Sequence, residues 1–147
     1  MSNETIVKLG TPKTLEANGS SISNNSIVQA DDANYSIAAD GGYYTDAKFV
    51  ASFAFSVAPT EGTALLLHAR PLDIDGTNDA EVPETTRPTV YVGSFVVNNV
   101  TSTQYSELLV SDVLWNAAYY LHNSGTGQTV SAGWTLKVTP YTVAPAA

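Results

Sequence analysis

The densest set of groups able to do chemistry in this chain is acidic. Asp73, Asp75, Asp79, Glu81 and Glu84 place five carboxylates within twelve residues, and no cation offsets them until Arg87. Carboxylates at alternate positions, with the Asn78 amide among them, offer the hard oxygen donors that Ca²⁺ gathers six to eight at a time. The four candidate calcium ligands are Asp73, Asp75, Asn78 and Asp79. Gly76 stands two places too early for an EF-hand loop, and no paired helices flank the run. A solvated acidic loop is one other reading. A third is an interaction loop in which Asp73, Asp75, Asp79, Glu81, Glu84 and Arg87 meet a partner. A long irregular stretch inside a compact domain often carries function. Pro83, Thr85, Thr86 and Pro88 would stiffen this one into an extended arm.

The sequence carries none of the common motifs for other chemistries. His68 and His122 are the two histidines, and no Gly-x-Ser-x-Gly elbow accompanies them. Both read as ordinary surface or half-buried imidazoles. No Gly-x-x-x-x-Gly-Lys phosphate loop and no His-Glu-x-x-His zinc motif occurs, and Gly125-Thr126-Gly127 reads as a turn. A glycosidase needs two carboxyls converging from opposite sides of a bond, whereas the acids here cluster in one loop. The chain therefore reads as a non-enzyme with no cofactor. The neighbouring rings Tyr43-Tyr44 and Tyr119-Tyr120, with Trp115 and Trp134, raise an alternative. Aromatic faces can stack on sugars, so a carbohydrate-binding module, aided by calcium, is a competing function. Trp134 itself reads as core.

Composition narrows the partners. The net charge is −8, with six Lys and Arg in 147 residues. Nucleic-acid binding needs cations to displace phosphate counterions, so DNA and RNA are excluded as direct partners. The same charge disfavours anionic membranes. No apolar run approaches the roughly 20 residues of a membrane-spanning helix. The absence of cysteine removes disulfides, thiolate metal sites and thiol nucleophiles. Met1-Ser2-Asn3-Glu4 shows no basic segment leading into an apolar run, so no secretory signal is expected.

The elements that must position these groups are strands. Val, Thr, Ser, Ala and Asn dominate, with eight Tyr, and β-branched and aromatic residues favour pleated surfaces. Phe49, Ala51, Phe53, Phe55 and Val57 alternate with polar residues such as Ser52 and Ser56, a half-buried strand pattern. Pro59-Thr60-Glu61-Gly62 reads as a turn, so this strand and Ala64–Leu72 are predicted to form a hairpin. Thr89–Asn98 is apolar on both faces, which predicts a central strand or one covered by another chain. Gly133–Val143 is the last strand, predicted to pair with Ala118–His122 across the Asn123–Gly127 loop. Glu4–Leu9, Ser26–Gln29 and Asn34–Ala38 are short candidate strands. Gln104–Leu114 reads as strand, although its apolar spacing also suits a helix. The prediction is one all-β domain over residues 1–147. It is a two-sheet antiparallel β-sandwich of about eight strands, jelly-roll-like, with residues 1–25 as a candidate extended N-terminal arm.

The segments Phe49–Val57, Leu65–Leu72, Asp73-Ile74-Asp75-Gly76-Thr77-Asn78-Asp79, Gly93–Val97 and Ala132–Val138 together resemble the small β-sandwich structural proteins of tailed-phage virions, especially capsid decoration (cement) proteins. The likeness covers residues 48 to 141 and is one of style rather than of a diagnostic motif. It implies a virion location after synthesis in the host cytoplasm. It implies binding to the outside of a shell, with the major capsid protein or other virion proteins as partners. It also implies a homo-oligomer, trimer or dimer, that adds contact area rather than chemistry. A phage tail or baseplate structural role is an alternative within the same resemblance.

Overall fold

The structure, a computed structural model, describes residues 4–37, 44–87, 90–113 and 116–145. Nine strands run through them in chain order: β1 (Thr5–Leu9), β2 (Lys13–Gly19), β3 (Ile27–Ser36), β4 (Asp46–Phe53), β5 (Ala64–Pro71), β6 (Val90–Val96), β7 (Gln104–Val110), β8 (Asn116–Ser124) and β9 (Trp134–Pro145). No α-helix occurs among the described residues. Gln104–Val110 is a strand, as its flanks suggested.

All pairing is antiparallel. One sheet runs β1-β9-β4-β7, with β2 also on β9, and the other runs β3-β8-β5-β6. β1 and β2 lie end to end along one side of β9, at Tyr141–Pro145 and at Trp134–Val138 respectively. They are one edge strand broken at Gly10-Thr11-Pro12, so nine segments fill eight positions. The pairings nest: β1/β2 with β9, β3 with β8, β4 with β7, β5 with β6. That is a long antiparallel ribbon folded over on itself, the jelly-roll arrangement. The β4·β9 and β5·β8 pairings then close each sheet.

The core lies between the sheets. β4 contributes Ala47, Phe49, Ala51 and Phe53, and β9 contributes Trp134, Leu136 and Val138. Facing them are Leu65, Leu67 and Ala69 of β5, Phe95 of β6, and Tyr119 and Leu121 of β8. Phe49 and Tyr119 meet across the gap with ring centroids 4.9 Å apart. Alternation thus assigns inward and outward faces correctly along β4, β5 and β9.

Several expectations are corrected. β4 and β5 are not a hairpin: β4 pairs β7 and β9, whereas β5 pairs β6 and β8. Their connection crosses from sheet to sheet, bridging at Phe55 to Val130 on the way. β8 and β9 likewise lie in different sheets. β6 is an edge strand, not a central one, and a register shift opposite Leu67/His68 turns Tyr91 outward. The candidate strands at Ser26–Gln29 and Asn34–Ala38 merge into β3, which is irregular between Ala30 and Tyr35. Residues 5–19 are not a free arm, because β1 and β2 complete a sheet and Ile22 beyond them is fully buried.

Candidate functional site

In this topology the β3–β4, β5–β6 and β7–β8 connections meet at one end of the sandwich. The acidic segment is the β5–β6 connection. Its backbone is stitched down: Leu72 N–H donates to Asn116 O (2.9 Å), Ala80 N–H to Pro71 O (2.9 Å) and Ile74 N–H to Asn78 O (2.8 Å). Arg70 of β5 also holds it, with Nε donating to Ala80 O at 2.7 Å and Nη2 lying 3.9 Å from Asp79 Oδ2.

The carboxylates named in the sequence are directed mainly at N–H groups. Asp75 Oδ1 accepts from the backbone of Asn78 (2.7 Å) and Thr77 (3.0 Å), and its Oδ2 accepts from Asn78 Nδ2 (2.7 Å). These bonds, the Asn78 backbone first, hold the Asp75 carboxyl below the usual range. Asp79 Oδ1 accepts from Asp73 N–H (3.1 Å), and Asp73 Oδ2 from Asn116 Nδ2 (3.1 Å). Further along, Arg87 is paired with Glu81 and with Glu84 (3.3 Å), and Glu84 and Arg87 exchange backbone hydrogen bonds. The segment up to Arg87 is therefore folded back on itself rather than held out as an arm. Pro88 lies outside the described residues.

A cleft of about 530 Å³ opens beside this loop, within the size range of small-ligand sites. Ile37, Leu72, Ile74 and Val113 give it apolar walls, and Asp73 and Asp112 stand among them. Both aspartates take left-handed backbone conformations, φ 52° and 53°, which Asp tolerates better than most residues. Asp112 was not singled out in the sequence, where an isolated Ser-Asp after a strand carries no signal. An apolar cleft with carboxylates suits a cation on an apolar stem.

A second acidic group was also missed. Glu16, Asp31 and Asp32 bring carboxylate oxygens within 4.8 Å of one another, and they are the one such group of three among the described residues. Glu16 is buried, because the irregular pairing of β2 between Thr14 and Gly19 turns it toward β3. Its carboxylate accepts from Asn18 N–H (3.0 Å) and Asp31 N–H (3.2 Å), while Asp32 accepts from Ala17 N–H (2.6 Å). Burial raises the Glu16 carboxyl above its ordinary value, and Asp31 and Asp32 add to the rise against those backbone donors. The acids thus stitch two irregular strands together.

The histidines sit on the outer face of the β3-β8-β5-β6 sheet. His68 is flanked by Tyr120 and Tyr91 in register and its ring centroid is 5.6 Å from that of His122. It is 2% exposed, and neither ring nitrogen makes a hydrogen bond of good geometry. Burial, then the neighbouring His122, lowers its proton affinity, while the Val90 backbone opposes the shift; burial lowers His122 as well. The unfolded chain binds both protons near the ordinary histidine value of about 6.5, and the folded chain only at lower pH. These residues therefore contribute stability that is complete above that value and is lost as pH falls toward the folded values. Glu16 has the opposite sign: its contribution is present at low pH and is lost as pH rises through its raised value. Thermal midpoints measured from about pH 7.5 to 5 should fall, and His68→Phe should flatten the slope. An unchanged slope in the His68→Phe/His122→Phe double variant would refute the assignment.

The aromatic pairs do not form one platform. Tyr119 and Trp134 are core, Tyr120 is nearly buried, and Tyr43 and Trp115 lie outside the described residues. The exposed Tyr91 and Tyr105 belong to different sheets.

What is exposed and apolar lies elsewhere. On the outer face of the five-stranded sheet, Val7, Leu9, Leu109 and Tyr141 surround Lys48 and Thr139 in a groove of about 260 Å³. Val7, Leu9, Leu109 and the adjoining Val143 are each between 59% and 67% exposed. Comparison with protein-family models, curated proteins and solved structures finds no match.

Proposed function

We propose that this chain is a non-enzymatic structural subunit that attaches to a larger protein assembly, and that the assembly is a phage virion whose capsid it decorates. The observation that carries the reading is the apolar groove of Val7, Leu9, Leu109 and Tyr141 on a sheet face. A cluster of large exposed apolar side chains marks a surface that gains by being covered. The jelly roll supplies a rigid frame that holds the cluster flat. The negative charge found elsewhere favours a basic surface as target. The virion context rests on the resemblance of residues 48–141. A tail or baseplate position would use the same surface.

The test is cosedimentation with undecorated shells of the same source. The chain should pellet with them at micromolar concentration, and Leu109→Asp should weaken binding about tenfold or more. Wild-type protein left in the supernatant would defeat the capsid reading and leave the tail reading standing.

A further inference from the structure

We infer that His68 and His122 are the two protein ligands of a zinc site on the outer face of the β3-β8-β5-β6 sheet. The inference starts from His68, which is 2% exposed and has no hydrogen bond of good geometry at Nδ1 or Nε2. A buried polar side chain without a partner is rare in a folded protein, and a bound ion is one of the things that accounts for it. Tyr120 and Tyr91 flank His68 in register, but their hydroxyls are engaged elsewhere. Tyr120 Oη donates to Gln29 Oε1 at 3.3 Å, and Tyr91 Oη is bonded to Ser94 Oγ.

Strand register brings the second imidazole to the first. β5 turns Leu66 and His68 outward, and β8 turns Tyr120 and His122 outward. The antiparallel pairing sets Leu66 against His122 and His68 against Tyr120, so the two histidines are diagonal neighbours on one face. Their ring centroids are 5.6 Å apart and their planes 40° apart. His122 is half-buried, so the space between the rings can be reached from solvent on its side.

The donor set and the spacing choose the metal. The in-register neighbours of the pair are Tyr120, Tyr91, Leu66 and Ile27, with no carboxylate among them. Calcium and magnesium, which require oxygen ligands, are therefore unsuited, whereas imidazole nitrogen suits zinc, copper and nickel. With metal–nitrogen bonds of about 2.0–2.1 Å, an ion lies about 3.2 Å from each ring centroid, so a tetrahedral ion sets the centroids about 5.2 Å apart and a right-angled, square-planar one about 4.5 Å. The observed 5.6 Å is a few tenths of an ångström from the tetrahedral spacing and about 1 Å from the other. Zinc is the tetrahedral ion of the three.

The surroundings suit it further. Burial keeps both imidazoles neutral near pH 7, the form that binds a metal. A metal-bound histidine commonly turns its other ring N–H to a backbone carbonyl, and the Val90 backbone, which favours a proton on the His68 ring, is placed for that role. Arg70 is the one cation on the same face of β5, and its guanidinium is occupied by Ala80 O and offset by Asp79. Two protein ligands leave two positions of the tetrahedron for water or for a donor from a partner. The site stands whether or not the chain decorates a virion.

Calorimetric titration of the full chain with zinc chloride at pH 7.5, after EDTA treatment and dialysis, tests it. One zinc should bind with a Kd below about 100 µM. Zinc about tenfold above that Kd should raise the thermal midpoint by about 4 °C. His122→Gln should weaken binding at least tenfold, whereas Asp31→Asn/Asp32→Asn, which disarms the acidic group on β3, should bind as wild type does. A hundredfold excess of calcium should not displace the zinc. The wild-type chain gives a readout independent of any variant: with two histidines in the sequence, the Cε1–H proton resonances of both should shift on adding one equivalent of zinc. No saturable 1:1 binding up to 1 mM zinc, wild-type affinity in His122→Gln, loss of binding in the Asp31/Asp32 variant, displacement by calcium, or shifts confined to one histidine would each overturn the proposal.

Discussion

Replacing Asn123 by alanine should destabilise the fold by about 3 kcal/mol, although the residue sits in what reads as a polar turn. Asn123 is completely buried. Its Nδ2 donates to Ile22 O at 3.0 Å and to Gln128 O at 2.7 Å, and its Oδ1 accepts from the buried Thr126 hydroxyl. Its backbone is paired too, with N–H donating to Ser26 O and C=O accepting from Asn25 N–H. One side chain thus ties the β2–β3 connection to the β8–β9 crossing. Alanine removes the amide donor shared by the Ile22 and Gln128 carbonyls, leaves the Thr126 hydroxyl without the Oδ1 acceptor, and opens a void in the buried crossing. The thermal midpoint should drop by about 10 °C for a domain of this size. Asn123→Asp should fare as badly near neutral pH, because a carboxylate would face two carbonyls, and it should recover in acid as it takes up a proton. Urea unfolding of both variants gives the numbers. A change below about 0.5 kcal/mol for Asn123→Ala would mean the network is not holding the crossing.

That network shows where sequence reading stops. Asn123-Ser124-Gly125-Thr126-Gly127 has hairpin-loop composition, yet it carries the chain from one sheet to the other. In a sandwich, both strands flanking a crossing point apolar residues inward with the same period as a hairpin. Alternation therefore reports which face of a strand is buried and says nothing about its partner. Strand positions at β4, β5, β7, β8 and β9 and the core role of Trp134 were legible because they depend on local pattern. Pairing was not, since it depends on where loops such as Ala54–Thr63 lead. β2 escaped notice because Lys-Thr-Leu-Glu-Ala-Asn-Gly has no alternation, its irregular register placing Leu15 and Glu16 both inside.

The candidate sites divide the same way. The Asp73–Arg87 run was visible because its residues are close in sequence. Glu16, Asp31 and Asp32 were not, because fifteen residues separate the partners and an irregular strand turns the glutamate inward. His68 reads as an outward residue of β5, and it is one. Its burial comes from neighbours on other strands, Tyr91, Tyr120 and His122. The Glu4–Leu9 strand was legible, but its place end to end with β2 along one side of β9 was not.

Gly19→Ala should cost about 3 kcal/mol, the upper part of the range for forcing atoms into a packed core. Gly19 faces Trp134 across the β2·β9 pair, and a methyl built there would fall inside the indole. The ring cannot swing aside without loss. Its Nε1–H donates to Ser20 O at 2.7 Å, and Gly133 N–H donates to Gly19 O at 2.8 Å, so the carbonyls of the glycine and of the residue after it are fixed to the ring and to the residue that precedes it. Gly93 makes the informative contrast. A methyl there would also be too close to a neighbour, 2.6 Å from Leu108 Cδ2, but that neighbour is the free end of a flexible side chain. Gly93→Ala should therefore cost about 1 kcal/mol, the low end of the same range. The difference between the two variants isolates the rigidity of the obstacle, since both remove a glycine from a strand. Near-ultraviolet circular dichroism should report a changed Trp134 environment in Gly19→Ala and leave it unchanged in Gly93→Ala. Equal losses of stability, or an unaltered tryptophan signal in Gly19→Ala, would show that the β2 edge gives way before the indole does.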